Sequence, residues 1–268
     1  MQKIAVLGCG WLGLPLAKFL IENHFEVSGS TTSVEKLDAL KNDNINAFRI
    51  NIFEDKIDGD IHDFLEQATV LIINIPPKLR GLQTENFVKK IENLIPFIEK
   101  TLVKKVLFVS STSVFADDNS VINQDTSPNP ETESGLQLLQ TEKLLLSNLN
   151  FETTIVRFGG LVGTDRHPAK MLAGRTMLPN PNTPINLIHQ DDCINIIFEI
   201  INQNSWSKIY NAVSPHHPSR EAYYIQKTAV LGLPKPSFDY SRPSFGKTVV
   251  SDRLIDDLKY EFLVIENI

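Results

Sequence analysis

Three glycines directly after an apolar run constrain this chain more than any other feature. Residues 4–13 read IAVLGCGWLG, and a helical pattern continues over residues 14–23. This order predicts a strand, a glycine turn and a helix whose free N–H groups and dipole favour an anion. Gly8 would make the tight turn, Gly10 would admit a pyrophosphate, and Gly13 would let helix and strand pack closely. The pattern indicates a dinucleotide site by descent, and whether it still holds a dinucleotide is a separate question. The predicted contacts are Gly8, Gly10, Trp11, Leu12 and Gly13.

The composition narrows the classes of protein that this chain can belong to. Its 268 residues are 42% hydrophobic and 22% charged, enough for one large core and a small appendage. The net charge of -6, with no basic stretch among aromatics, argues against nucleic acid as a partner. No run approaches the roughly 20 apolar residues of a membrane span. Two cysteines offer neither a disulfide framework nor a metal-ligand pair. We expect a cytoplasmic protein with no membrane partner.

The end of the second predicted strand, residues 25–30, bears on the choice of cofactor. An NAD site usually presents a carboxylate there to the ribose 2′-hydroxyl, whereas an NADP site presents basic or small hydroxyl residues. Residues 30–33 read STTS and contain no acid, which favours NADP and leaves NAD as the alternative. Thr31 and Thr32 are the predicted contacts. Thr32 or Ser33 can equally cap the next helix, and both roles can hold because several hydroxyls are present.

The remaining pattern alternates strands and helices. Further strands are predicted at residues 48–52, 70–75 and 105–115, and a helix at residues 84–100. This alternation predicts an α/β fold with a doubly wound parallel sheet, the Rossmann arrangement. Ligands bind at the carboxyl edge of such a sheet. The predicted cofactor site therefore also includes Asn51, Ile52, Ile75 and Pro76.

Four dispersed segments carry a resemblance to a known family. Residues 109–115, VSSTSVF, resemble the strand and turn of nucleotide-sugar epimerases and dehydratases, the extended short-chain dehydrogenase/reductases. Later segments agree in order: 155–163, 186–192 and 245–254. The first turn is spaced GxGxxG where the extended family has GxxGxxG. Together with the missing acid/base pair described below, this spacing resembles the atypical, epimerase-like branch of the superfamily. The resemblance implies an NAD(P)-binding Rossmann domain (residues 1–159 plus 186–213) and a smaller substrate-binding lobe (residues 160–185 plus 214–268).

The family's acid/base pair is missing from this chain. The family pattern Tyr-Gly-x-x-Lys-x-x-x-Glu matches residues 134–142 best, where Ser134 replaces Tyr and Leu138 replaces Lys. All five tyrosines lie at residue 210 or beyond, so realignment does not restore the pair. A Ser hydroxyl beside Leu has too high a pKa to replace a Tyr tuned by Lys. Ser134 also fits a capping box with Gln137.

Ser111 matches the family's catalytic hydroxyl, which hydrogen-bonds the substrate near the reacting carbon. Its alternative role is a strand-ending Ser that bonds local backbone. Without the Tyr, Ser111 is expected to bind a ligand but not to transfer the proton alone. Ser111 and Ser134 are the candidate catalytic residues.

Charged residues of the second half are candidate substrate contacts. Arg157 opens the segment that leads to the substrate lobe. Arg166 and its two neighbours follow a Gly-rich stretch and either face a substrate phosphate or carboxylate or form a solvated charge cluster. His189 belongs to an Ile-His-x-Asp-Asp motif, in which Asp191 or Asp192 is expected to cap a helix. No metal site is expected, because nothing else supplies ligands.

Two functions follow from these residues. The first is an oxidoreductase or epimerase-type enzyme that acts on a nucleotide-sugar or another small carbonyl compound, with a non-standard active site. The second is a catalytically inactive dinucleotide-binding sensor or scaffold. The retained substrate-lobe motifs favour the first and the missing Tyr-Lys pair favours the second. A small-molecule substrate is the expected partner, and a homodimer is left open.

Overall fold

The computed structural model of this protein describes residues 1–77 and 85–263. In chain order its strands are β1 (Lys3–Leu7), β2 (Glu26–Thr31), β3 (Asn46–Arg49), β4 (Asn51–Ile52), β5 (Ile57–Asp58), β6 (Val70–Ile73), β7 (Lys105–Ser111), β8 (Val121–Ile122), β9 (Glu152–Phe158), β10 (Gly160–Val162), β11 (Leu187–His189), β12 (Ile209–Ala212) and β13 (Thr248–Val249). Its helices are α1 (Gly13–Glu22), α2 (Leu37–Asn42), α3 (Ile61–Leu65), α4 (Phe87–Glu99), α5 (Glu133–Leu146), α6 (Ala169–Leu172), α7 (Gln190–Asn202), α8 (Arg220–Val230) and α9 (Asp252–Leu258).

The chain divides into two compact units. The first comprises Met1–Val114, Pro130–Arg157 and Ile194–Tyr210. The second comprises Phe115–Asn129, Phe158–Cys193 and Asn211–Ile268. The division into a cofactor domain and a substrate lobe stays a prediction, because it assigns functions to these parts of the chain.

A seven-stranded sheet organises the first unit. Its order is β12-β9-β7-β6-β1-β2-β3, and β1 pairs in parallel with both β2 and β6. From β1 the chain moves outward in one direction to β3, then returns to β6 and moves outward in the other direction. Right-handed crossovers therefore place the helices of the two halves on opposite faces. The predicted doubly wound α/β fold is confirmed. The order reverses between β1 and β6, which is where such sheets bind ligands.

Apolar runs explain the central strands. All of β6 is buried, as is β1 from Ile4 onward, which is the pattern of strands covered on both faces. The predicted third strand is wrong as one element, because it divides into β3 and β4. Ile50 lies between them and donates its N–H to Thr31 O at 3.0 Å. Thr84, where the next helix was predicted to begin, lies outside the described residues.

The start of α5 differs from the predicted capping box. Thr132 is the N-cap, and its hydroxyl accepts the Gly135 N–H at 3.1 Å. Ser134 therefore lies inside the first turn, so its capping role was wrong. The side-chain oxygen of Gln137, Oε1, instead accepts the Phe87 N–H at 2.7 Å, which connects α5 to the first residue of α4. A buried N–H at a helix start needs such a partner, and here it comes from another helix.

Two short parallel pairs lie in the second unit: β10 with β11, and β8 with β13. The expected capping of α7 by Asp191 or Asp192 is wrong, because α7 begins at Gln190 and both aspartates lie in its first turn. The Asp192 carboxylate is fully buried and accepts from the Tyr260 hydroxyl and the Leu263 N–H, each at 2.8 Å. Asp192 thus holds the C-terminal segment.

None of the helices in the described ranges combines the length and apolar character needed to cross a membrane.

Candidate functional site

The glycine turn has the conformation that its spacing predicts. Gly8 has φ of +105°, a left-handed conformation that favours glycine. A Cβ on Gly13 would lie 2.1 Å from Gly8 O, so α1 approaches the turn as closely as backbone allows. A Cβ on Gly10 would meet nothing within 4 Å. The turn is therefore closed on the protein side and open at Gly10.

Side chains from both neighbouring strands hold this turn in place. From β2, the Ser30 hydroxyl accepts the Gly8 N–H at 2.9 Å, and Ser30 O accepts the Cys9 N–H at 2.7 Å. From the end of β6, the Asn74 amide donates to Gly8 O at 3.0 Å. We call these contacts the turn brace. Because Ser30 is buried and bonded here, it does not remain available for a cofactor phosphate.

The residues inside the turn have distinct environments. The Cys9 thiol lies in the core, where burial raises its pKa to about 12, so it is an unreactive thiol. Leu12 is buried, Trp11 is partly exposed and Gly10 is exposed. The backbone at Gly10 is thus accessible three residues before α1, a helix of ten residues. This open approach, at a helix N-terminus, fits the pyrophosphate of a dinucleotide.

Charges that the sequence analysis did not weigh lie near the end of β2. The Thr31 hydroxyl is buried and accepts the Ser33 N–H at 3.2 Å, while Thr32 is exposed. The Ser33 hydroxyl donates to the Glu35 carboxylate and lowers the pKa of Glu35. Arg49 is the β3 partner of Thr31 in the sheet register, and its guanidinium lies 2.8 Å from the Asp58 carboxylate. Two carboxylates, Glu35 and Asp58, and one cation, Arg49, therefore accompany the predicted threonines.

The other predicted cofactor residues lie at the carboxyl ends of strands. Asn51 and Ile52 form β4, which pairs antiparallel with β5, and Ile52 is buried. Ile75 adjoins the turn, since its Cγ2 would lie 2.9 Å from a Cβ on Gly8. Pro76 is exposed. Ile75 thus lies next to the glycine turn, and Pro76 is exposed to solvent at the carboxyl edge of the sheet.

Ser111 and Ser134 both lie in the first unit. The Ser111 hydroxyl accepts the Ser113 N–H at 3.1 Å, as its local-backbone role predicts, and its own proton remains able to donate. A Cβ on Gly135 would lie 2.2 Å from Ser113 O, so the start of α5 lies against the turn after Ser111. Leu138, at the family's Lys position, is buried. The positions of the family's Ser, Tyr and Lys therefore carry two hydroxyls and an apolar side chain, and none of the three carries a cation.

A buried ionic network lies directly behind Ser111. The Arg157 guanidinium donates to Glu142 at 2.6, 3.0 and 3.2 Å, and the Ser110 hydroxyl donates to the same carboxylate at 2.6 Å. Arg157 is 3% exposed and Glu142 1%. Burial gives Arg157 a structural role in place of the predicted substrate contact. The network joins β7, α5 and β9, and so fixes the strand that carries Ser111.

Arg166 and His189 lie in the second unit. Arg166 is exposed in a turn that it closes through mutual backbone hydrogen bonds with Gly163. His189 ends β11, and its Nδ1 accepts the Asp191 N–H at 3.2 Å. Only Arg166 of these two is open to solvent. Across the described part of the chain, no three His, Cys, Asp or Glu side chains are placed to hold a metal ion.

Sequence reasoning missed three residues of the candidate site: Asn74, Glu35 and Arg49. Asn74 was visible as the polar residue in the apolar run 70–75, directly after the part that forms β6. Glu35 was also visible, four residues beyond Thr31. Arg49 depends on the register between β2 and β3, which the sequence does not display.

Solved structures share the fold of this protein. UDP-glucuronic acid 4-epimerase from Bacillus cereus, in complex with UDP-glucuronic acid and NAD, superposes with a TM-score of 0.78 at 17% identity, over 98% of this chain and 95% of that chain. A candidate NAD-dependent epimerase/dehydratase from Methylobacillus flagellatus gives 0.77 at 24% identity, over 99% and 94%. The chain thus has the epimerase-like short-chain dehydrogenase/reductase fold.

Protein YeeZ of Escherichia coli K12 is 32% identical over 264 residues, 98% of this chain and 96% of that protein. This chain belongs to the family of Protein YeeZ. No protein-family model matches it.

Arg157→Met tests the buried network. The substitution leaves the Glu142 carboxylate buried without its ion pair, and we expect it to lower the free energy of unfolding by about 3–5 kcal/mol. The matched control is Arg49→Met, which removes an exposed ion pair and should cost about 0–1 kcal/mol. Denaturant unfolding measures both. Equal costs for the two variants would contradict the structural role of Arg157.

Proposed function

We propose that this protein binds a nicotinamide dinucleotide on its glycine turn. The observation that carries the proposal is the open backbone at Gly10, beside a turn that the brace holds rigid on its other side. A pyrophosphate needs such close backbone access, and the N-terminus of α1 adds a favourable dipole. The NAD held by the Bacillus cereus epimerase supports the same use of this fold.

We propose that NADP(H) is preferred over NAD(H). Arg49 lies beside Thr31, and its exposed pair with Asp58 is worth little in water, so exchanging that carboxylate for a 2′-phosphate costs little. An Arg-phosphate pair is bidentate and is stronger than an uncharged hydrogen bond. Glu35 acts in the opposite direction, but its carboxylate is fully exposed and its repulsion is screened by solvent.

The proposed activity is that of an oxidoreductase or epimerase-type enzyme on a nucleotide-sugar or another small carbonyl compound. A bound nicotinamide dinucleotide would supply reversible hydride transfer. The Ser111 hydroxyl, already oriented by the Ser113 N–H, would donate to the substrate oxygen and position it. The network behind Ser111 would keep that hydroxyl in place, because Ser110 is bonded to buried Glu142.

A second candidate function is a dinucleotide-binding sensor or scaffold without hydride chemistry. The observation that favours it is the pair Ser134 and Leu138, since neither side chain transfers a proton near neutral pH. Leu138 is buried at the position where the family has its Lys, so this position supplies no cation to lower the pKa of a neighbouring hydroxyl. This protein would still bind the cofactor, and the two functions differ in turnover alone.

Gly10→Ala separates binding from folding. The added methyl group meets no protein atom within 4 Å, so stability should stay within about 0.5 kcal/mol of the original. The methyl group obstructs the pyrophosphate, and we expect dinucleotide affinity to fall at least about tenfold. Isothermal titration calorimetry and denaturant unfolding measure the two quantities.

Gly232→Ala is the matched control for this experiment. Gly232 also faces open space but has φ of +64°, so alanine there should cost about 1 kcal/mol of stability without changing binding. Unchanged dinucleotide affinity in Gly10→Ala would remove the glycine turn from the proposed site.

Arg49→Gln tests the cofactor preference. Loss of the guanidinium should lower the affinity for NADPH about tenfold and leave that for NADH unchanged, because only NADPH carries the 2′-phosphate. Glu35→Gln should instead raise the affinity for NADPH. Lys56→Gln, which removes another exposed cation, serves as the control. Equal changes for both nucleotides in Arg49→Gln would refute the assignment of Arg49.

Ser111→Ala tests the proposed activity. With the protein loaded with NADP and mixed with a UDP-sugar, an enzyme of this kind should develop reduced-nicotinamide absorbance. Ser111→Ala should slow that step at least about tenfold, whereas Ser147→Ala should not. Full activity in Ser111→Ala would remove Ser111 from the mechanism. Absence of hydride transfer with a panel of nucleotide-sugars would favour the sensor.

A further inference from the structure

A cluster of basic and aromatic side chains lies entirely within the second unit. His167 directly precedes the Pro that caps α6, Lys170 lies on α6, and Tyr223 and Lys227 lie one turn apart on α8. We call these four residues the His167 cluster. The sequence predicted that His167 either faces a substrate phosphate or carboxylate or belongs to a solvated charge cluster. It did not reveal the residues that α8 brings to His167.

Ring geometry holds the cluster together. The His167 and Tyr223 rings are nearly parallel, with an interplanar angle of 13° and centroids 6.1 Å apart. The Lys227 ammonium lies 6.0 Å from the centroid of the same Tyr223 ring. Tyr223 is 2% exposed, and its buried hydroxyl has no hydrogen-bond partner among the residues that the structure describes. A rigid aromatic ring with an unsatisfied polar group therefore underlies two basic side chains.

The cluster carries positive charge without a matching carboxylate. Partial burial, and then the nearby Lys227 and Lys170 ammonium groups, lower the pKa of His167. Burial alone lowers the pKa of Lys227. Within residues 1–77 and 85–263, no carboxylate forms an ion pair with Lys170 or Lys227. A partly buried ammonium without a counter-charge is costly, and an anion would relieve that cost.

We infer that the His167 cluster is a binding site for a phosphoryl group on a small molecule. The His167 imidazole and the Lys227 ammonium share the Tyr223 ring, and both lysines are close enough to His167 to act on its charge. Together they carry several hydrogen-bond donors, which suits a dianion with three oxygens better than a carboxylate with two. His167 Nδ1 accepts the Ala169 N–H at 3.4 Å, so the neutral ring carries its proton on Nε2 and donates from there. The site is independent of the dinucleotide proposal, because its residues belong to the second unit alone.

Histidine-selective NMR during titration with inorganic phosphate tests this inference. At constant ionic strength, the His167 ring resonances, assigned with His167→Gln, should shift saturably with phosphate and much less with acetate. Lys227→Met keeps the apolar stem and should raise the dissociation constant for phosphate about tenfold. Lys170→Met, at an exposed position, should weaken binding in the same direction. Because the readout is at His167, phosphate on the glycine turn does not contribute to it.

Lys235→Met is the matched control, since Lys235 is an exposed lysine of the same unit outside the cluster. It should leave the phosphate titration unchanged. A His167 resonance that does not respond to phosphate would overturn the proposal. Equal responses to phosphate and acetate, or equal weakening by Lys235→Met and Lys227→Met, would overturn it as well.

Discussion

The turn brace around Gly8 is the constraint on which the rest of the candidate site depends. Ser30 from β2 and Asn74, directly after β6, bond Gly8 from both sides of β1. Each such bond contributes only about 1 kcal/mol net, yet losing a partner would leave a backbone group of the turn unsatisfied and cost about 1–3 kcal/mol. Because the brace satisfies the protein side of the turn, Gly13 approaches Gly8 closely and Gly10 stays open for a ligand.

A second constraint fixes the strand that carries Ser111. Glu142, Arg157 and Ser110 join α5, β9 and β7 through hydrogen bonds that the core encloses. Breaking such a pair is costly because one charge stays buried, although the pair itself is weak evidence for net stability. The role of this network is to position the Ser111 strand. The cofactor turn and the Ser111 strand are held by separate networks in one sheet, so a variant in one network should leave the other intact.

The sequence predicted those features that depend on local pattern. Glycine spacing and apolar runs identified the turn, the central strands and the doubly wound fold, because these follow from neighbours in the chain. Features that depend on distant residues were missed or misassigned. Arg157 was predicted as a substrate contact because its partner, Glu142, lies on another element. Thr132 and Ser134 are two hydroxyls two residues apart, and local pattern alone did not identify which one caps α5.

The residues that local pattern did not predict at the cofactor edge and in the second unit also depend on contacts between distant segments. Arg49 reaches Thr31 only through the register of β2 with β3. The His167 cluster joins α8 to a loop more than fifty residues earlier in the chain, and neither segment shows a motif by itself. Side-chain pairs of this kind become visible when the fold brings them together.

Calorimetric titration of the nucleotide-free protein with NADPH and with NADH tests the central claim most directly. We expect saturable binding at one site per chain, with NADPH the tighter ligand. If the protein is folded and free of copurified nucleotide, and neither cofactor produces heat or competes with the other, the braced glycine turn is not a dinucleotide site. The open backbone at Gly10 would then be a structural remnant.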